Sequence, residues 1–198
     1  NTLSITEQLN WFLFEEIDGG IDAYTRATAL DIMSHTNGLT LSEVFETNAD
    51  IAISLSASMW VNIAYLVGGI GLIAARVFTW HAPMAMLAGL GLCAGLFHMG
   101  EPDLYPSMTQ HLLTGATMLS AFFIVTDPVS GATSRKGKLI FGAGVGILVF
   151  IIRSYGSYPD AFAFAILLMN LSAPLIDTYT KPKAYGHQRK NSTQGGSQ

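Results

Sequence analysis

Five long apolar segments, separated by short polar connections, are the feature that most restricts how this chain can fold. Each approaches the ~20 residues that a helix needs to cross the hydrocarbon core of a bilayer. Only 12% of the residues are charged, whereas soluble domains average about 25%. We therefore predict an all-α integral membrane protein with about five transmembrane helices, at roughly 55–76, 82–99, 108–126, 138–153 and 160–177.

The regions flanking the apolar segments differ in charge. Residues 1–50 contain nine Asp or Glu and one Arg, and we predict that 1–53 is an extracytoplasmic segment of short helices and loops. The transmembrane bundle is predicted at 54–180. We expect 181–198 to be a basic, mostly disordered tail, for which anionic lipid is a better partner than nucleic acid. A fragment of a longer subunit and a naturally short chain both remain open.

The distribution of Lys and Arg among the connections predicts an orientation. With five helices, one side of the membrane holds Arg26 and Arg153. The other side holds eight basic residues: Arg76, Arg135, Lys136, Lys138, Lys181, Lys183, Arg189 and Lys190. Since cytoplasmic loops carry the basic excess, we predict a cytoplasmic C-terminus and an outer location for the N-terminal segment.

Two of the apolar segments contain glycines spaced four apart, and a third is interrupted by polar and helix-breaking residues. Gly91-x-x-x-Gly95 and Gly142-x-x-x-Gly146 predict close helix–helix packing, because small residues allow backbones to approach in lipid. Asn170 and Pro174 interrupt the last segment. A simple proline kink and a kinked helix that lines a buried cofactor or ion path are about equally compatible with that pattern.

A tetrapeptide of the form [Ser/Thr]-x-Ala-Thr occurs three times. It ends at Thr28, at Thr117 and at Thr133. Some membrane redox proteins use this form to attach FMN covalently, through an ester between the flavin phosphate and the last threonine. The flavin transferase that makes this ester works outside the cytoplasm, and it needs a flexible loop with small residues. Its targets also carry an Asp six residues before the threonine.

Position and spacing separate the three threonines. Thr117 lies in a predicted membrane helix and has His111 at the upstream position, so we expect its hydroxyl to bond its own backbone or to pack against another helix. Thr133 has Asp127 at the correct spacing, but its loop is predicted to be cytoplasmic. Thr28 has Asp22 at the same spacing and lies in the outer segment, so we predict that Thr28 is the attachment site.

The surrounding sequence resembles the D subunit of Rnf electron-transport complexes. The attachment motif of that family corresponds here to Asp22, Thr25, Ala27, Thr28 and Leu30. The resemblance continues over nearly the whole chain, through His111–Met118, Phe122–Pro128, Arg153–Asp160, Ala173–Asp177 and Ala184–His187. It corresponds to the C-terminal half of that family, whose membrane-embedded N-terminal half lies outside this sequence.

The resemblance implies a subunit of an ion-translocating oxidoreductase that links ferredoxin and NAD. It implies covalent FMN on Thr28, a second and non-covalent flavin such as riboflavin within the bundle, and a bacterial cytoplasmic (inner) membrane location. Other membrane and peripheral subunits and a flavin transferase are the implied partners, and little activity is expected from the chain alone. We assign Asn170 and Pro174 to the lining of the membrane flavin or an ion path.

Other interpretations remain open. One is a subunit like the B subunit of sodium-pumping NADH:quinone reductases, which shares the fold and a similar flavin threonine. Others are a cofactor-free transporter or a structural scaffold. We predict that Asp127, Asp160 and Asp177 are structural caps rather than ion-coupling groups, that His111 is a satisfied interfacial histidine, and that no metal is bound.

Overall fold

A computed structural model describes residues 49–156 and 161–180. These ranges contain helices and connecting loops, and no strand. The elements in chain order are α1 (Ala49–Ala74), α2 (His81–Gly100), α3 (Met108–Leu113), α4 (Thr117–Leu119), a π-helical segment (Ser120–Ile124), α5 (Arg135–Tyr155) and α6 (Phe162–Thr180). The all-α membrane fold predicted from the apolar segments is confirmed.

Four of the helices in the described ranges are long and apolar enough to cross a membrane. They are Leu55–Ala74 within α1, and the whole of α2, α5 and α6. The third predicted span, 108–126, is not one continuous helix. The chain leaves helical geometry after Leu113 and resumes it at Thr117, so this prediction is corrected to a broken helix formed by α3, α4 and the π-helical segment.

The helices alternate in direction, which gives the bundle two distinct ends. We call the end where α1 begins the upper end. There the hydroxyls of Tyr105, before α3, and Tyr155, at the end of α5, lie 3.2 Å apart. At the opposite, lower end the Ser134 hydroxyl donates to the hydroxyl of Thr180, 2.6 Å away. The 127–137 loop therefore lies at the opposite end of the bundle from the start of α1.

Close backbone contact joins α2 to α5. A Cβ added at Gly142 would lie 2.3 Å from the carbonyl oxygen of Ala82, and one at Gly146 would lie 2.3 Å from that of Met86. The predicted role of the 142–146 pair in packing is thus confirmed. On α2 the close approach is made by Gly89, whose added Cβ would lie 2.8 Å from the Ala143 carbonyl oxygen.

The other predicted glycine pair, Gly91 and Gly95, does not form such a face. A Cβ at Gly91 would meet the Met108 side chain at 2.7 Å, and no described atom lies within 4 Å of one at Gly95. The core lies between α2, α5 and the π-helical segment, with α6 packed on the far side of α5. Its largest fully buried side chains include Phe122, Phe141 and Phe150.

Replacing Gly146 with Ala is expected to destabilise the bundle, since its Cβ has no room beside the α2 backbone. Overpacking of this kind typically costs about 1–3 kcal/mol. Gly95→Ala is the matched control, because it adds the same methyl group where described atoms leave space. The midpoint of thermal unfolding in detergent should fall for Gly146→Ala only. Equal midpoints for the two variants would contradict the close contact.

Candidate functional site

The break in the third membrane segment is an unusual feature of the described backbone. Thr114 is extended, and Gly115 has φ 61°, in the left-handed region that favours glycine. The break releases carbonyl groups that a continuous helix would bond internally. In lipid such groups need partners from the protein itself, since water is absent.

Asn62 of α1 supplies partners for one part of the break. Its side-chain nitrogen donates to the carbonyl oxygens of Leu113 at 3.2 Å and Gly115 at 2.9 Å. Its side-chain oxygen accepts from the backbone N–H of Met118 at 3.0 Å, in the first turn after the break. Asn62 is only 1% exposed. A single buried side-chain amide therefore bonds the backbone on both sides of the break.

Arg153 of α5 supplies partners for the other part. One terminal nitrogen donates to the His111 carbonyl oxygen at 2.9 Å. The other lies 3.4 Å from the Thr114 carbonyl oxygen and 3.3 Å from the Thr117 hydroxyl. The guanidinium carbon also lies 4.9 Å from the centre of the Phe162 ring. At 7% exposure, Arg153 is a buried group in the bundle and not the loop charge assumed in the orientation count.

Two buried polar side chains next to the break have no hydrogen-bond partner among the described residues. They are His111, through both ring nitrogens, and Ser120, through its hydroxyl. The prediction that His111 is a satisfied histidine is therefore wrong within these ranges. Ser120 opens the π-helical segment, where the Val125 N–H donates to its carbonyl oxygen at 2.8 Å. Wide turns of this kind frequently mark functional positions in helices.

A pocket of about 700 Å³ opens at the lower end of the bundle. Apolar side chains from the π-helical segment and from α6 line it together with polar groups of the lower loops. The lining residues are Val77, Phe78, Thr79, Phe123, Ile124, Thr126, Asp127, Pro128, Ser130, Lys138, Ile166 and Asn170. Its lining combines apolar side chains with a few polar groups, as small-molecule sites commonly do.

The two residues that we assigned to a membrane flavin or ion path fall in different places. Asn170 lines the lower pocket, and its side-chain oxygen is buried with no hydrogen-bond partner among the described residues. Pro174 is exposed and is not part of that lining. Helix α6 continues through Pro174 to Thr180.

The 127–137 loop is tied down by carboxylates, as predicted for Asp127 and Asp177. Asp127 accepts from the Ser130 hydroxyl at 2.6 Å and from the N–H groups of Val129 and Ser130 at 3.2 Å each. These bonds, the Ser130 hydroxyl first, hold the pKa of Asp127 below its usual value. Asp177 accepts from the Thr133 N–H at 2.9 Å and from the Thr133 hydroxyl at 2.8 Å.

Of the three tetrapeptide threonines, the structure describes two. The Thr117 hydroxyl donates to the Thr114 carbonyl oxygen at 2.8 Å, as expected, and is fully buried. The Thr133 hydroxyl is engaged by Asp177. Thr28 and the other residues of its motif, Asp22, Thr25, Ala27 and Leu30, lie outside the described residues, as does Asp160.

Asn62 and Arg153 are the residues whose structural importance the apolar pattern did not reveal. A signal was present, because an Asn within an apolar segment and an Arg beside one must find partners or water. The Thr-Gly pair at 114–115 was the corresponding signal for the break. Within residues 49–156 and 161–180, no group of three His, Cys, Asp or Glu side chains is arranged to hold a metal ion.

Replacing Asn62 with Leu should destabilise the bundle through the break. The substitution removes the donor to two buried carbonyl oxygens and the acceptor for one buried N–H. Each buried group left unpaired costs about 1–3 kcal/mol. Val67→Ala, on the exposed face of the same helix, is the control. Thermal unfolding in detergent should show a large loss for Asn62→Leu alone, and comparable midpoints would exclude this role of Asn62 at the break.

Known proteins resemble the chain over most of its length. Residues 2–186 match the NQR2, RnfD, RnfE family. The D subunit of the ion-translocating oxidoreductase complex from Pseudomonas aeruginosa (strain LESB58) is 54% identical over 170 residues, which are 85% of this chain and 49% of that protein. The proteins of the same name from Ectopseudomonas mendocina (strain ymp) and Vibrio cholerae serotype O1 (strain M66-2) are 53% and 50% identical. These two alignments cover 86% and 87% of this chain, and 50% of each relative.

The chain thus spans about half the length of the curated relatives it matches. The family match includes the tetrapeptide at 25–28, the broken helix and the lower pocket, all of which lie within the matched range. With a family match over nearly the whole chain, and apolar helices as the sequence predicts, the chain belongs to the NQR2, RnfD, RnfE family.

Proposed function

We propose that the chain is the flavin-carrying part of a membrane subunit in an ion-translocating oxidoreductase of the Rnf type. In this role it relays electrons between ferredoxin-linked and NAD-linked subunits through FMN esterified to Thr28. The family match and the names of its relatives support the oxidoreductase part of the proposal. The Asp22-to-Thr28 motif supports covalent FMN. When bound, the flavin supplies the electron-transfer chemistry, and the protein supplies its position and environment.

The engagement of Thr133 by Asp177 is the observation that carries the choice of Thr28. Thr133 has the correct tetrapeptide and the correct upstream acid, and it is exposed. However, its hydroxyl and N–H both bind the Asp177 carboxylate. A phosphate ester at Thr133 would lose that hydrogen bond and place a second negative charge beside Asp177. Thr117 is excluded more simply, because it is fully buried.

The arrangement of the two ends is also consistent with Thr28. Residues 1–48 join the bundle where α1 begins, at the upper end, whereas Thr133 lies at the lower end. The count of loop charges placed Arg153 on the outer side, but Arg153 is buried in the bundle. Without Arg153, the excess of basic residues at the lower end is larger than that count assumed. The basic residues Arg135, Lys136 and Lys138 all lie at the lower end, which we assign to the cytoplasmic side.

The lower pocket is the place we propose for a second, non-covalent flavin. Its volume of about 700 Å³ and the rings of Phe78 and Phe123 suit an isoalloxazine. The buried, unpartnered side-chain oxygen of Asn170 can accept from a ring N–H of such a ligand. Lys138, also in the lining, places a positive charge that favours a reduced flavin. Residues of this chain would therefore orient the ring and influence its potential.

Covalent attachment can be tested by co-expressing the chain with a flavin transferase and examining the denatured protein band under ultraviolet light. We expect the band to fluoresce for the wild type and for Thr133→Val, and to be dark for Thr28→Val. Fluorescence that persists in Thr28→Val and disappears in Thr133→Val would overturn the assignment. A dark wild-type band would favour the cofactor-free transporter or scaffold.

The second flavin needs a separate measurement, because covalent flavin stays with the denatured protein. Acid precipitation of the purified full chain should release non-covalent flavin into the supernatant. We expect Asn170→Leu to lower the released amount several-fold and to leave the covalent fluorescence unchanged, since Asn170 lines the lower pocket. Thr178→Val, on an exposed turn of the same helix, is the control. Equal release from both variants would place the flavin elsewhere.

A further inference from the structure

The lower end of the bundle carries a concentration of positive charge. Four basic residues lie there, one just after α1 and three in the first turn of α5: Arg76, Arg135, Lys136 and Lys138. The two described carboxylates at this end, Asp127 and Asp177, bond the 127–137 loop. The excess of cations leaves a positive surface that favours an anionic partner.

Contacts between helices bring these cations to one place. The Lys138 ammonium donates to the Thr79 hydroxyl at 3.3 Å, in the connection between α1 and α2 that also contains Arg76. One turn beyond Lys138, α5 lies against the start of α2, where a Cβ added at Gly142 would be 2.3 Å from the Ala82 carbonyl oxygen. The first turn of α5, with its three cations, therefore lies beside the connection that carries the fourth.

Exposed apolar side chains adjoin the charges and continue along the membrane helices. Trp80 follows Thr79 directly and is 53% exposed. Met84, one turn further along α2, and Ile140, two residues after Lys138 on α5, are exposed as well. A Trp at the end of a membrane helix is typical of the headgroup level of a bilayer. The surface thus changes from charged to apolar along the helices, which matches an amphiphile with an anionic head.

We propose that this surface binds an anionic phospholipid, with its headgroup on the cations and its acyl chains along Trp80 and Met84. Basic residues at the edge of a membrane bundle attract anionic headgroups. An acidic face of a peripheral protein would meet the same cations, but acyl chains match apolar side chains that continue along a membrane helix. The inference rests on neither flavin assignment, because Arg76 and Arg135 are not in the lining of the lower pocket.

The fluorescence of Trp80 can report which lipid lies beside it. The chain has three tryptophans, so Trp11→Phe with Trp60→Phe leaves Trp80 alone. In proteoliposomes of the full chain, a lipid with brominated acyl chains quenches a tryptophan that it contacts. We expect brominated phosphatidylglycerol to compete for Trp80 several-fold better than brominated phosphatidylcholine. Trp60, which is 72% exposed in α1, is the control in a Trp11→Phe, Trp80→Phe protein and should show no preference. The same preference at both tryptophans would indicate a diffuse attraction and would overturn the proposal.

Removal of charge identifies the groups that select the headgroup. In the protein that retains only Trp80, Arg76→Gln with Arg135→Gln should reduce the preference for phosphatidylglycerol several-fold, whereas Arg76→Lys with Arg135→Lys should retain it. Lys181→Gln with Lys183→Gln removes the same charge from the tail and should leave the preference unchanged. Equal quenching of Trp80 by the two lipids in the unsubstituted surface would contradict the proposal. So would a preference that survives the Gln substitutions at 76 and 135, or one that disappears only with the tail charges.

Discussion

The satisfaction of backbone polar groups at the broken helix is the constraint on which much of the bundle depends. A break inside an apolar environment is tolerated only when the released groups find protein partners. Here the partners come from two other helices, through Asn62 and Arg153. Helix α1, the broken segment and α5 are consequently held in register by buried polar contacts.

The hydrogen bonds of Asn62 and Arg153 to the break require the helices to approach closely, and the glycines of α2 and α5 permit that approach. With Gly142 and Gly146 against the α2 backbone, α5 lies deep in the bundle. Its last turn then brings Arg153 within 2.9 Å of the His111 carbonyl oxygen. A similar contact joins α1 to the π-helical segment, where a Cβ at Gly69 would lie 2.2 Å from the Phe122 ring. Small residues thus determine where the polar residues can reach.

Apolar length predicted the long helices well, because a membrane span is defined chiefly by its hydrophobicity. The bounds of α2 differ from the predicted 82–99 by one residue at each end. The same criterion failed at 108–126, since hydropathy does not report whether the backbone is continuous. It also did not distinguish Gly89, where an added Cβ would meet the α5 backbone, from Gly95, where an added Cβ would meet no described atom within 4 Å. The continuity of a helix and the glycines that contact another helix both depend on which helix faces meet, and hydropathy does not report this.

Polar residues were harder to interpret than apolar ones, because a single sequence does not show their partners. Asp127 was predicted correctly as a loop cap, since an Asp-Pro pair after a helix acts locally. Arg153 was assigned to a connection by its position near the end of a segment. Its described hydrogen-bond partners, on His111, Thr114 and Thr117, are more than thirty residues away in sequence, and no local pattern contains that information.

The copies of the [Ser/Thr]-x-Ala-Thr tetrapeptide have nearly the same sequence but different structural roles, which depend on their surroundings. Between α3 and α4, Gly115 adopts positive φ and the Thr117 hydroxyl bonds the released backbone, so the motif forms a helix break. In the lower loop, Thr133 binds Asp177 and connects the loop to α6. Small residues and hydroxyl groups make all three copies suitable for tight turns. A chemical attachment demands in addition a hydroxyl that is free to enter another enzyme's active site. The two described copies use theirs for internal hydrogen bonds, and this is the physical reason why we propose the third copy as the attachment site.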